Sequence, residues 1–481
     1  MVETDTPTDS PFTILTPTEK IWLVILISCS GIWSTLSTSI YFPALPELSH
    51  DFKISPGMTN ISVVTYLIFQ GLSPTIIATF ADSYGRRPCL IYCLVGYCAV
   101  NIAISRVNVF WLLIVLRCIQ AATISPIIAV SAGIVSDFTT KSNRGRFIGI
   151  IQGIQLIGQG FGALVGSGVI SRFGWRGVFI FLAIGSGSVM ICITLIFPET
   201  NRKIVGNLSV IPKHIWNKAP VIYLPCYKKR LTNDLDTISP PQLINLLDPF
   251  RILIQPVIFF TLLAGGFQFA TWTMCLTTLS TSLEKYYGYL IIQVGLCYLA
   301  PGIGTLVGSI VTGRFIDFIY SRKIASYNKK TANLLEEEKP EFDLFSARFE
   351  TTIYTTLMTI IFCIVFAWCL DKKVHVAPIL ISCFFVSFAV VSFLSCMNTL
   401  LVDMFPSKGS SASSCLNLVR CLLSALFVGT LDPMQEAMTI GGCFTFMAGL
   451  CFLSYLLLVY VSHTSRDNKT KDSNINKRLE N

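Results

Sequence analysis

Two arginines, Arg117 and Arg420, stand inside long apolar runs, and each has an amide three residues away: Gln120 follows the first and Asn417 precedes the second. That spacing puts both members of each pair on one face of a helix. A guanidinium is costly against hydrocarbon, so it turns toward protein or a water-filled passage. The chemistry open to it is non-covalent. It can hold a polar or anionic group, pair with a carboxylate from another segment, or anchor a neighbouring helix through hydrogen bonds.

A second constellation is the turn Asp82-Ser83-Tyr84-Gly85-Arg86-Arg87-Pro88 between two apolar runs. Gly85 permits a positive φ, and Pro88 suits the first turn of a helix, where its missing N–H costs nothing. Asp82 can meet the positive end of another helix dipole, the start of the run near Ser410 being the candidate. Arg86 or Arg87 can pair with Asp137, which closes a later apolar run. Further on, Gln152, Gln155 and Gln159 recur at helical spacing as a polar stripe. Gly158, Gly162 and Gly166 form a small-residue face that lets helices approach closely. Trp33, Tyr66, Gln70, Gln268, Trp272 and Asn398 are candidates to line a cavity that takes cationic amphiphiles through π contacts.

Signs of covalent or metal chemistry are missing. The four histidines are scattered, and the sequence carries no phosphate-cradling Gly-x-x-x-x-Gly-Lys loop. The 17 cysteines lie mostly within apolar runs, with no Cys-x-x-Cys pattern, so they read as small hydrophobes. No enzyme, cofactor, metal or disulfide is expected. No carboxylate occupies the middle of an apolar run. Asp82, Asp137, Asp317 and Asp403 stand at one set of ends, and Asp432 and Glu436 near the other.

The elements that must position these residues follow from composition. At 52% hydrophobic and 13% charged residues, the chain is far more apolar than a soluble domain. Twelve runs, near 21–42, 61–81, 88–105, 110–135, 147–170, 177–197, 253–279, 289–313, 350–369, 376–401, 411–431 and 440–461, are long enough to span a bilayer as helices. The first twenty residues are polar and show no secretory-signal pattern.

With the N-terminus in the cytosol, 27 of the 36 Lys and Arg fall on inner segments and 7 on outer loops. This bias fits the positive-inside rule and places both termini inside. The net charge of +9 is therefore topology and attraction to an anionic leaflet, not a nucleic-acid signal. The expected organisation is a cytosolic tail (1–20), a six-helix half (21–198), a cytosolic linker (199–252), a second six-helix half (253–462) and a short polar cytosolic tail (463–481), which reads as unstructured. The linker holds Lys228-Lys229-Arg230, and the acidic run Glu336-Glu337-Glu338 lies in a longer loop of the second half. The halves read as diverged copies.

The spans in two halves, the Asp82–Pro88 turn, Arg117-x-x-Gln120 and the Gly-rich fifth span together resemble the major facilitator superfamily. Three further stretches resemble its fungal twelve-span drug:proton antiporters: Ser39-Ile40-Tyr41-Phe42-Pro43-Ala44-Leu45-Pro46, Pro198-Glu199-Thr200, and Asn417-Leu418-Val419-Arg420-Cys421. The run Ile157-Gly158-Gln159-Gly160-Phe161-Gly162-Ala163-Leu164 is most similar to the quinidine-resistance group, with Gln159 and Ala163 where the family usually has proline. Ser83, Ala78 and Ala121 also depart from the family pattern.

The resemblance implies an all-α major facilitator fold whose halves rock about a central cavity. It implies export of small organic compounds in exchange for protons from a fungal plasma membrane. The 82–88 turn and Asp137 would then form a cytosolic latch, with Arg117 and Gln120 in proton coupling or the central site. Arg420 and Asn417 are further candidates there, and Gln152, Gln155, Gln159, Gln268 and Trp272 candidates for the cavity. The partners are substrate, protons and lipid, with a monomer expected. An exporter of one metabolite (an amino acid, polyamine, weak acid or cell-wall precursor) and a non-transporting sensor are the alternative readings.

Overall fold

The computed structural model describes residues 13–139, 141–212, 214–223, 231, 256–331, 344–404 and 409–479. The apolar runs become helices because lipid leaves backbone polar groups no other partner. In chain order these are α1 (Pro17–Ser39), α2 (Leu45–Phe52), α3 (Pro56–Tyr84), α4 (Arg86–Ser105), α5 (Phe110–Ile124), α6 (Pro126–Phe138), α7 (Lys141–Ile196) and α8 (Arg202–Val205). There follow α9 (Pro256–Tyr287), α10 (Ile291–Cys297), α11 (Leu299–Thr331), α12 (Leu344–Asp371), α13 (Val376–Met404), α14 (Gly409–Gly429) and α15 (Leu431–Leu479). Short 3₁₀ turns occupy Phe42–Ala44, Ile215–Asn217 and Pro220–Tyr223.

Among the described residues, ten helical stretches are long and apolar enough to cross a membrane. One of them, Phe147–Ile196, spans 50 residues and breaks at Gly174, where φ is 67° and ψ 178°. The break makes two crossings of it, and the shorter apolar helix Ser413–Gly429 supplies one more. Among the described residues these stretches match in number the twelve apolar runs of the sequence. Proline starts α6 directly after α5, so residues 110–138 form one span with a joint at Ser125-Pro126. A similar joint in α15 lies at Thr439, φ 64°. Beyond it α15 runs on to Leu479, so the tail expected to be unstructured is helical. Residues 451–479 contain neither Gly nor Pro, and adding residues to an existing helix is cheap once it is nucleated.

The chain divides into two compact units, one of Met1–Ser39, Leu72–Gly162 and Phe173–Leu246, the other of Ile40–Gly71, Ala163–Arg172 and Leu247–Asn481. The boundaries cut α3 after Gly71 and α7 after Gly162 and again after Arg172. In the first unit Tyr97, Phe138, Trp175 and Phe179 are buried. In the second, Ala264, Phe393, Cys396, Met397, Leu400, Tyr455 and Leu458 form a cluster joining α9, α13 and α15. Large apolar side chains also face outward, among them Trp111 at 63% exposure and Ile184 at 70%. Such surfaces are what lipid covers. All sixteen described cysteines are free thiols.

Candidate functional site

The α3–α4 turn in the first unit holds two ion pairs. Arg86 pairs with Asp82 one turn earlier, and its Nε lies 3.1 Å from Asp137 Oδ2 at the end of α6. Gly133 makes room for this guanidinium, since a Cβ there would come 2.7 Å from Arg86 Cζ. Gly85 takes φ +116°, and a Cβ on it would meet Glu199 Oε2 at 2.4 Å. Only glycine satisfies both conditions.

Glu199 sits at the start of α4. Its Oε1 accepts the Arg86 N–H at 2.8 Å and its Oε2 the Arg87 N–H at 3.2 Å. The Thr200 and Asn201 N–H groups each donate to Oε1 at 3.0 Å. The carboxylate thus closes the amide fork that every helix start leaves open. Burial pushes its pKa up, and these backbone donors pull it part of the way back.

Arg87 points the other way, donating from Nε to Phe197 O at 2.9 Å and from Nη2 to Thr194 O at 2.6 Å. It therefore closes the C-terminal end of α7, and of the two basic residues only Arg86 meets Asp137. Arg202 Nε adds a bond to Asp137 O at 2.7 Å, and Asn201 Nδ2 donates to Asp82 O at 3.0 Å. The expected partner of Asp82 near Ser410 lies outside the described side chains, as do those of Asp317 and Asp403, the 228–230 triplet and the 336–338 run.

Arg117 lies within the membrane-spanning part of the same unit and is 2% exposed. Its Nη1 donates to Gln120 Oε1 at 2.6 Å. Gln120 Nε2 donates to Asn101 Oδ1 at 2.7 Å, and Asn101 Nδ2 to Tyr97 O at 2.8 Å. The Tyr97 hydroxyl in turn meets Ser37 of α1. Amide dipoles therefore orient the guanidinium, and the polar connection reaches from α5 through α4 to α1.

On α7 the glutamines divide. Gln152 is exposed, Gln159 half-buried and Gln155 buried. The Gln155 amide fills the space left by Gly31 of α1, where a Cβ would fall 2.0 Å from Nε2, and its backbone carbonyl accepts from Thr35 Oγ1 at 2.6 Å. Gly158 lies against α1 as well, 2.7 Å from Ile32 O to its would-be Cβ. In the second unit Gly166 makes the corresponding approach, 2.6 Å from Ile40 O. Gly162 ends the first-unit portion of the helix between them.

In the second unit Arg420 reaches Asn417 Oδ1 with Nε at 3.2 Å and Nη2 at 2.9 Å. It also lies over the Phe269 ring, 4.9 Å from the centroid. Asn417 Nδ2 donates to Gln70 O at 2.9 Å, which ties α14 to α3. Gln268 and Trp272 are 1% and 4% exposed. Gln268 bonds Thr356 of α12 at 2.9 Å, and Trp272 Nε1 bonds Ser387 of α13 at 2.8 Å. The structure thus puts these two between helices. Asn398 accepts from Ser413 at 2.8 Å, and Asn60 Nδ2 reaches Asp432 Oδ1 at 3.4 Å.

Asn101 and the roles of Glu199 and Phe269 are not conspicuous in the sequence. A lone amide in an apolar span was the available signal for Asn101. An acid directly after a span end was the signal for Glu199, while Phe269 carried none. Among the described residues no cluster of three or more His, Cys, Asp or Glu can hold a metal. The arrangement joins neighbouring helices through hydrogen bonds and charge.

Residues 27–428 match the Major Facilitator Superfamily. The sequence is 46% identical over 466 residues to the MFS antiporter QDR2 of Candida albicans, covering 97% of this chain and 92% of that one. It is 37% identical over 473 residues to the quinidine resistance protein 1 of Saccharomyces cerevisiae, covering 94% and 84% of the two chains. The human organic anion transporter MFSD10 (TETRAN) shares the fold at a TM-score of 0.57 and 14% identity, over 92% of this chain and all of that one.

Proposed function

The chain belongs to the major facilitator superfamily, and we propose that it exports drugs and other small organic compounds by alternating access in exchange for protons. The observation that carries this reading is the 46% identity, along nearly the whole chain, with a protein named as an antiporter. The likeness to a quinidine resistance protein supports cationic amphiphiles as substrates.

In this reading residues 21–198 and 253–462 are the two moving halves, joined by the linker 199–252. Both termini face the cytosol, and a monomer resides in the plasma membrane. Arg117, oriented by Gln120, and Arg420, oriented by Asn417, set the electrostatics of the path. Each guanidinium is a positive charge with donors only, beside which a proton and a cationic substrate compete for the remaining polar groups. The network of Asp82, Arg86, Asp137 and Glu199 fixes the cytosolic ends of the first-half spans and serves as the latch.

The test is uptake of N-methylquinidinium, whose fixed charge prevents passive ion trapping, into proteoliposomes with an acidic lumen. Accumulation that a proton ionophore abolishes supports exchange. Accumulation unaffected by removing the gradient contradicts it.

A further inference from the structure

The stretch following α8 packs against the α3–α4 turn and α4 of the first unit. One side of it is firmly held. Asn217 is 3% exposed and Ala219 fully buried, Asn217 Nδ2 donates to Tyr84 O at 3.4 Å, and Arg87 Nη1 donates to Trp216 O. The other side carries Ile215 at 77% exposure, Trp216 at 60% and Tyr223 at 66%. A segment in free water would not keep so large a set of apolar side chains on one face while its polar Asn217 points inward.

The level of this face along the membrane normal follows from one contact. Trp216 packs on Tyr92, with ring centroids 5.8 Å apart, and Tyr92 is itself 56% exposed on the outward surface of α4. Tyr92 comes six residues after the helix start at Arg86, about 9 Å along the axis at about 1.5 Å per residue. The headgroup zone on each side of the hydrocarbon is about 5–8 Å deep. With the charged first turn of α4 among headgroups, Tyr92 and Trp216 stand at the boundary between headgroups and acyl chains. Tryptophan and tyrosine concentrate at that depth because one end of each ring system is apolar and the other hydrogen-bonds. The Trp216 face is thus continuous with the lipid-facing surface of α4. His214 and Lys218 flank Ile215 and Trp216 in sequence, and Lys228-Lys229-Arg230 follows within the same basic linker.

We propose that the segment around Ile215, Trp216 and Tyr223 is an interfacial anchor that seats in the adjoining leaflet and selects anionic lipid headgroups there. The apolar side chains supply insertion, and the neighbouring basic residues supply the preference for negative charge. Because Arg87 holds the Trp216 carbonyl and Glu199 caps the same turn, the anchor is fastened to the α3–α4 turn instead of hanging from a free linker.

The test uses the full chain in proteoliposomes of phosphatidylcholine with a minority of phosphatidylserine. A photoreactive benzoylphenylalanine replaces Ile215 or Trp216 in separate variants, and Ile222, 6% exposed, in a third. Both outward positions tolerate a bulky aromatic without repacking, so loss of fold does not confound the result. The expected outcome is phospholipid adducts from positions 215 and 216, enriched in phosphatidylserine by about fivefold over its share of the bilayer, the factor one basic residue near the surface supplies. Position 222 should link within the chain. Absence of lipid adducts at both outward positions would overturn the proposal, as would crosslinks to a second copy of the protein. Lipid adducts without phosphatidylserine enrichment would overturn its anionic preference.

Discussion

The Glu199 carboxylate accepts the backbone N–H of Arg86 at 2.8 Å, so the residue that leaves α7 closes the start of α4. Two segments 113 residues apart are fixed to each other by a helix cap. The contact places a buried anion beside Arg86, whose guanidinium is shared with Asp82 and Asp137.

Removing this cap should be costly. Glu199→Ala leaves four N–H groups without their acceptor, and a buried unsatisfied donor costs about 1–3 kcal/mol. Glu199→Gln keeps one acceptor oxygen and should lose markedly less. Thermal unfolding of the purified protein in detergent checks the order: wild type above Gln, Gln above Ala.

The pH dependence has a definite sign. Burial raises the pKa of Glu199 in the folded protein, so the folded state holds the proton more tightly than the unfolded chain. The contribution is fully present below the ordinary glutamate value of about 4.3 and is lost as pH rises through the raised value. The midpoint difference between wild type and Glu199→Gln should therefore shift against wild type as pH climbs through that window. A pH series of melting curves for the pair measures it.

Gly85→Ala should destabilise the same turn without touching a charge. A side chain at φ +116° is strained, at about 1–3 kcal/mol, and the new Cβ would stand 2.4 Å from Glu199 Oε2. Combined with Glu199→Ala the clash with the carboxylate disappears, leaving Asn217 Oδ1 at 3.0 Å from the new Cβ, so the double variant should lose less than the two single losses together. A double-mutant cycle on unfolding midpoints reads this out.

Much of this is legible in the sequence, for identifiable reasons. The spans announce themselves because a bilayer leaves the backbone no choice but helix, and the Asp82–Pro88 turn did so because charge between two spans is conspicuous. The special conformation of Gly85 followed from local chemistry. Side-chain direction did not. Gln268 and Trp272 read as cavity residues, and the sequence does not show that their polar atoms bond Thr356 and Ser387 on neighbouring helices. A polar group in an apolar run looks the same whether it faces a passage or a neighbour. Arg86 and Arg87 are adjacent and equivalent in sequence, and only the fold sends one to Asp137 and the other to the end of α7.

Asn101 should matter to transport through Arg117. Asn101→Leu removes the acceptor of Gln120, whereas Asn101→Asp retains one. Transport should fall with Leu and survive largely with Asp, and Asn101→Leu should add little to a loss already caused by Arg117→Ala. Initial rates of substrate efflux for the single and double variants test this, beside melting curves that confirm folding.

Arg420 and Asn417 should behave as one unit. Arg420→Lys forfeits the fork on Asn417 and the seat over Phe269, the latter worth about 0.5–2 kcal/mol. Lysine should not rescue transport, and adding Asn417→Ala should produce little further loss. Concentration dependence of efflux distinguishes weakened binding from slowed turnover.

The most direct test of proton exchange is the proton flux that a substrate evokes in sealed proteoliposomes under an imposed pH gradient. A panel of cationic drugs, polyamines and weak acids would be compared between wild type and Arg117→Ala. The account predicts substrate-dependent proton movement in wild type and its loss in the variant, with both proteins folded. Substrate export by wild type without any proton movement would contradict it.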